Sequence, residues 1–218
     1  MVKENTFGRR MIWKGVFILL SVLILQIPIL LVRNLVEDRQ ELSSEAQNEV
    51  TRQVGGAQMI YAPELKFPYK QNEIDLKGNA VYSDKVRKIN AKAAEINGNV
   101  DVEMLHRSIY EIPIYKADFK IDGSFVISDN DFKYYNGTVY LYFPIGDFKG
   151  LENKITAHVD GRDYTFTLAE DGLRTKLDMD TLVQGQVIEY SISFRTKGAE
   201  SLRFFPKSDT FKVNLTSN

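Results

Sequence analysis

The stretch KITAHVDGRDYTFTL, residues 154–168, decides how this chain is read. Ile155, Ala157 and Val159 alternate with polar residues as far as Asp160-Gly161, and Tyr164, Phe166 and Leu168 alternate on the way out. A two-residue period is that of a strand with one buried face. Asp-Gly between two such runs signals a hairpin, because a type I′ turn needs positive φ at both central residues.

The same period spreads outward from this hairpin. Phe119, Ile121, Phe125 and Ile127 share one side of ADFKIDGSFVIS, and Val139, Leu141 and Phe143 alternate with Tyr140 and Tyr142. Ile188, Tyr190, Ile192 and Phe194 alternate with Glu189, Ser191 and Ser193, and Phe211, Val213 and Leu215 form a last run. Asn136-Gly137 and Asp122-Gly123 mark further turns or bends. Short strands with frequent turn signals predict an antiparallel, sandwich-like or barrel-like β domain over residues 55–218. No 15-residue helical pattern interrupts them, which argues against a doubly wound sheet. The last run is expected to pair with Ile188–Phe194 and to form an exposed edge that favours self-association.

Before residue 55 the period is helical. Leu35, Leu42, Ala46, Val50 and Val54 recur on one helical face and predict a stalk over 34–54, packed on the domain behind it and ended by Gly55-Gly56. Gly15–Val32 is an uncharged run of 18 residues, about 27 Å of helix, close to the thickness of a bilayer's hydrocarbon core. Trp13 and Lys14 stand where an interfacial aromatic and a snorkelling cation belong. The reading is a cytoplasmic segment 1–12, a transmembrane helix 13–33, the stalk, and an extracytoplasmic domain. Lys3, Arg9, Arg10 and Lys14 precede the span, so the positive-inside rule places the N-terminus in the cytoplasm. The flank ILLVRNLVEDR lacks the small residues of a cleavage site, which favours an uncleaved anchor.

Net charge is −1 over 218 residues, but the first 32 sum to +3, so the rest sums to −4. Such a body shows no bulk attraction for nucleic acid. There is no cysteine, which excludes disulfides, thiolate catalysis and iron–sulfur clusters. His106 and His158 stand alone, with no second histidine or carboxylate at metal-ligand spacing. SDNDF (128–132) lacks the glycine and closing glutamate of a calcium loop and reads as a turn. No phosphate loop, nucleophile elbow or kinase motif set occurs. The residues therefore name no catalytic group, metal ligand or cofactor.

One stretch carries more than periodicity. EINGNVDVEMLHRSIYEIPIYKADFKIDGSF (95–125) resembles the CreD family of bacterial inner-membrane proteins. The matching positions include Arg107, Tyr110, Glu111, Pro113, Tyr115 and Gly123, which the resemblance leaves without an assigned role and which read as structural. Further blocks are similar: Gln58, Pro63, Leu65 and Pro68 in QVGGAQMIYAPELKFPY; Asp147 and Gly150 in FPIGDFKGL; and the segment GAESLRFFPKSDTFKVNLTSN. The resemblance implies an inner-membrane protein with a non-enzymatic envelope-integrity or stress-linked role, structural or partner-binding, under control of a system that responds to cell-wall damage. It also implies that members continue past residue 218 into a membrane-helix bundle. The expected partners are the lipid bilayer, other envelope proteins and a second copy of the chain. The alternative is a periplasmic module sensing cell-wall-derived molecules.

Overall fold

The computed structural model describes residues 6–74, 80–170, 172–179 and 182–217. Lys3 and Glu4 of the charged N-terminal flank lie outside the described residues. The chain forms two compact units, Met1–Asn48 and Glu49–Asn218.

Helix α1 (Thr6–Val54) is continuous through Pro28. Among the described residues it is the one helix long and apolar enough to cross a membrane. Phe17, Leu25 and Leu31 are typical of its span in being exposed, the surface that lipid rather than protein covers. The helix stops at the predicted place because Gly55 takes φ +112°, a conformation that favours glycine. The apolar stripe is a partial correction. Leu35 and Leu42 are exposed, and burial is complete only at Val50.

Beyond the helix the chain is mainly β. It runs through β1 (Gln58–Tyr61), β2 (Glu64–Ile74), β3 (Ala80–Arg107), β4 (Tyr110–Val126), a one-turn helix α2 (Asp129–Phe132) and β5 (Val139–Phe143). A 3-10 turn (Phe148–Gly150), β6 (Thr156–Val159), β7 (Arg162–Thr165), β8 (Thr167–Ala169) and β9 (Gly172–Leu177) follow. β10 (Val187–Gly198), β11 (Leu202–Phe205) and β12 (Ser208–Ser217) complete it. The main sheet has the order β7-β6-β10-β4-β3-β2-β5-β9-β8, with β12 also on β3, while β1 and β11 form a separate parallel pair.

β3 is the corner of the molecule. Residues 80–90 pair with β2 and residues 93–107 with β4. Its buried positions change phase on the way, from Ile89 and Ala91 to Ala94 and Ile96. A strand that changes its inward face takes part in two sheets. The β2 sheet (β2, β5, β9, β8) and the β4 sheet (β4, β10, β6, β7, β12) thus share β3. Their inner faces also share one core, where Phe143 of β5 meets Phe194 of β10 at 5.2 Å between ring centroids. Each fully buried phenylalanine or isoleucine in it stabilises by roughly 1.5–3 kcal/mol.

The Asp160-Gly161 hairpin is present, with φ +45° and +80°. Asn136-Gly137 is also a turn, with Gly137 at φ +91°. SDNDF is α2 rather than a plain turn: Ser128 caps it, and Asp131 is held by Arg87 at 2.7 Å.

Asp122-Gly123 is a correction, since it lies inside β4. Gly123 faces Tyr190 across the strands. A Cβ there would stand 2.1 Å from the Ala93 carbonyl oxygen and 2.4 Å from the Tyr190 hydroxyl. The missing side chain lets the tyrosine ring lie on the backbone and donate to that oxygen at 3.1 Å. Gly98 opposite Phe119 and Gly198 opposite Tyr115 repeat the arrangement. The last strand is a second correction. β12 pairs in parallel with Ala91–Val100 of β3, not with Ile188–Phe194. Phe211 and Val213 pack on the core, and Leu215 stays exposed. Among the described residues β12 has no other strand partner.

Candidate functional site

The blocks that carry the family resemblance lie far apart in sequence, yet several meet at one junction beside the end of α1. Ala199 N donates to Gly55 O at 3.0 Å, and Gln58 N donates to Ser201 O at 2.7 Å. Gly56 N donates to Asp147 Oδ2 at 3.1 Å, while Asp147 Oδ1 caps the 3-10 turn through Lys149 N at 2.9 Å. Gly150 is required by its surroundings: a Cβ there would stand 2.3 Å from Lys197 O and 2.5 Å from Gln58 Nε2. The Gln58 amide is fully buried, and neither of its polar atoms has a hydrogen-bond partner.

Of the sequence-predicted positions, Tyr115 belongs to this junction. Its hydroxyl crosses Gly198 and donates to Ser201 O at 3.2 Å. Burial, with the nearby carboxylates of Asp147 and Glu200 adding to it, pushes that hydroxyl's pKa up to about 12. Arg107 reaches the last turns of the helix, bonding Gln53 and standing 3.7 Å from Glu49. Tyr110 pairs with Arg107 where the β3–β4 hairpin closes. Glu111 instead faces His106 at 3.0 Å on the exposed side of that hairpin. Pro113 lies in the part of β4 beyond its pairing with β10, where a strand tolerates the missing N–H. Gly123 serves the core, away from the junction.

The chemistry gathered here is structural: backbone bonds, one carboxylate and one tyrosine. His158 meets Asp163 at 2.8 Å, again across a hairpin and exposed. Among the described residues no group of three histidine or carboxylate side chains is gathered as a metal ion would need.

Sequence reasoning missed a groove of about 780 Å³ on the outer face of the β2 sheet. The register places Lys88, Lys66, Tyr140 and Lys176 in one row across four strands, with Tyr142 and Arg174 side by side in the next. Lys66 Nζ lies 3.0 Å from the Tyr142 ring centroid, and the Arg174 guanidinium lies 5.5 Å from that of Tyr140. The signal was the pattern VYLYF, which sends two tyrosines to the face opposite the core. A second groove, of about 960 Å³, lies along β12, β3, β4 and β10. Its polar groups bond one another: Asn214 to Glu95 and Asn97, Thr216 to Asn99, and Arg195 to Asp118 at two points.

An apolar helix joined to a mainly β domain defines a membrane-anchored β protein. The profile described as "Inner membrane protein CreD" matches residues 10–218, and the chain belongs to that family of inner-membrane proteins. It is similar to "Inner membrane protein CreD" of Escherichia coli (strain K12), with 21% identity over 218 residues. The match covers 94% of this chain and 48% of that protein, so the chain spans about half the length of this relative. No solved structure matches it.

Proposed function

We propose that the chain is a non-catalytic envelope protein whose N-terminus is cytoplasmic and whose β domain stands in the periplasm as a structural, partner-binding body. The observation that carries the reading is the junction. Val50 is buried, Arg107 grips Gln53, and Gly55 and Gly56 are bonded to Ala199 and Asp147. The end of the helix is thereby fixed to the β domain at several points rather than through a flexible linker. Such a joint suits a structural, partner-binding body. The orientation rests on the cations before the span. An alkaline phosphatase fused after residue 218 is expected to be active, because that enzyme folds outside the cytoplasm. An inactive phosphatase together with a bright cytoplasmic fluorescent fusion at the same point would overturn it.

The groove on the β2 sheet favours a second reading, a periplasmic ligand-sensing module. Its size and its mix of aromatic and charged side chains fit a small-molecule site. A panel of cell-wall fragments is expected to contain one that raises the melting temperature of the full chain in detergent, since a ligand of the native state stabilises it by mass action. A panel that leaves the temperature unchanged sinks this reading.

A further inference from the structure

Resting on the partner-binding reading, we propose that the open edge of β12 pairs with β12 of a second copy of this chain, antiparallel, about a two-fold axis at Val213. The edge comes first. Among the described residues β12 is bonded to a strand on one side only, by β3. It is ten residues long, contains no proline, and keeps one register with β3 from Ser208 to Ser217. The strands that end the main sheet, β7 and β8, have only four and three residues. The β2–β3 ribbon beyond Lys66 is also open on its outer sides. It carries Pro68, Lys70 and Glu73 on one strand and Asp84, Lys85 and Arg87 on the other. Short length, proline and charge are the devices that keep an edge from pairing. Between Thr210 and Thr216, β12 holds a single charge, Lys212.

The register comes second. Residues directly opposite in an antiparallel pair share a face. An axis at Val213 sets Phe211 against Leu215, and Val213 against its own copy, on the core side. On the other side it sets Lys212 against Asn214 and Thr210 against Thr216. Phe211 and Val213 already pack on the core. Leu215, 47% exposed at the end of that row, is then covered by the phenylalanine of the second copy. An axis at Lys212 would oppose two ammonium groups, which destabilises a sheet. An axis at Asn214 would set Phe211 against Ser217 and break the apolar row. One register therefore suits both faces, and the lone lysine excludes a neighbouring one.

Symmetry sets the size of the assembly. Pairing about a two-fold axis uses the same edge of both copies, so it closes at two and leaves nothing to grow from.

The test uses introduced cysteines, which report alone because the chain has none of its own. Variants of the full chain in detergent are oxidised and run without reductant. Val213→Cys is expected to cross-link with itself, since opposite Cα atoms in such a pair stand about 4.5–5.5 Å apart, within disulfide reach. A mixture of Thr210→Cys and Thr216→Cys chains should cross-link, while neither should do so alone, because each cysteine lies about 20 Å from its own copy along the strand. Asn214→Lys, at an exposed position, places a lysine opposite Lys212 twice over by symmetry. It should weaken the dimer about tenfold in sedimentation and leave the circular dichroism of the chain as it was. A chain that sediments as a monomer at about 100 μM would overturn the proposal. So would self-cross-linking of Thr210→Cys, a dimer whose Thr210→Cys and Thr216→Cys chains do not join, or association unaffected by Asn214→Lys. A monomer would leave the partner-binding reading standing with a different occupant, so the two fail separately.

Discussion

Gly123 and Gly172 do the same work on opposite faces. Each lacks a side chain so that a tyrosine ring can lie against the backbone. At Gly123 the ring of Tyr190 is turned inward, packed 4.9 Å from Phe125, and its hydroxyl is tied to Ala93 O. At Gly172 the ring of Tyr142 is turned outward and roofed by the Lys66 ammonium. The inner copy packs a ring into the core; the outer copy packs a ring beneath a lysine on the other face. One local device thus serves either face of a sheet, as the register decides.

The comparison can be broken by filling the two sites. Gly123→Val is expected to destabilise by at least about 3 kcal/mol, because the added atoms meet a backbone oxygen that cannot move and a ring sealed in the core. The denaturant midpoint of the full chain in detergent measures it. Gly172→Ala should cost less, about 1 kcal/mol, although its Cβ would stand 2.9 Å from Phe143 O. The tyrosine it strikes lines a groove, whereas Tyr190 belongs to the core cluster. Equal losses at the two sites would mean that the outer ring is as rigidly held as the inner one.

The smallest effect is one of pH, at the third inward ring. Tyr115 has its pKa raised by burial from 10.0 to about 12. A raised folded-state value means that the protonated form is favoured by folding. Its contribution is complete below pH 10 and is lost as pH rises through 12. Tyr115→Phe removes a hydroxyl that cannot then ionise. It should lower stability near pH 8 by about 1 kcal/mol and flatten the alkaline fall in melting temperature. A parallel alkaline fall in the variant would show that other groups, with Tyr190 foremost, carry it.

The strands were legible where their causes are local. Asp160-Gly161 announces its turn because both residues adopt the positive φ that this pair supplies. Gly55 ends the helix for the same reason. Asp122-Gly123 carries the same two letters and misleads, because that glycine answers to Tyr190, 67 positions on in the chain (190 minus 123). The corner in β3 hides in a slip of phase between Ala91 and Ala94, which local alternation reads as noise. The junction was half legible. The resemblance singled out Gln58, Tyr115, Asp147 and Gly150 as recurrent, but only the folded chain brings them together. The groove was invisible because its rows run across strands, and a row is a property of register.

The parallel seat of β12 on β3 also sets an order of events. Lys92 and Asp209, bonded across that seam, are 117 residues apart. A chain made from its N-terminus must therefore form its corner strand long before the last strand exists to cover it. Closing so long a loop is slow compared with the hairpins β3–β4 and β6–β7, whose partners are adjacent. Until then Ala91–Val100 presents an open strand edge, which is the kind of surface that chaperones hold and aggregates start from.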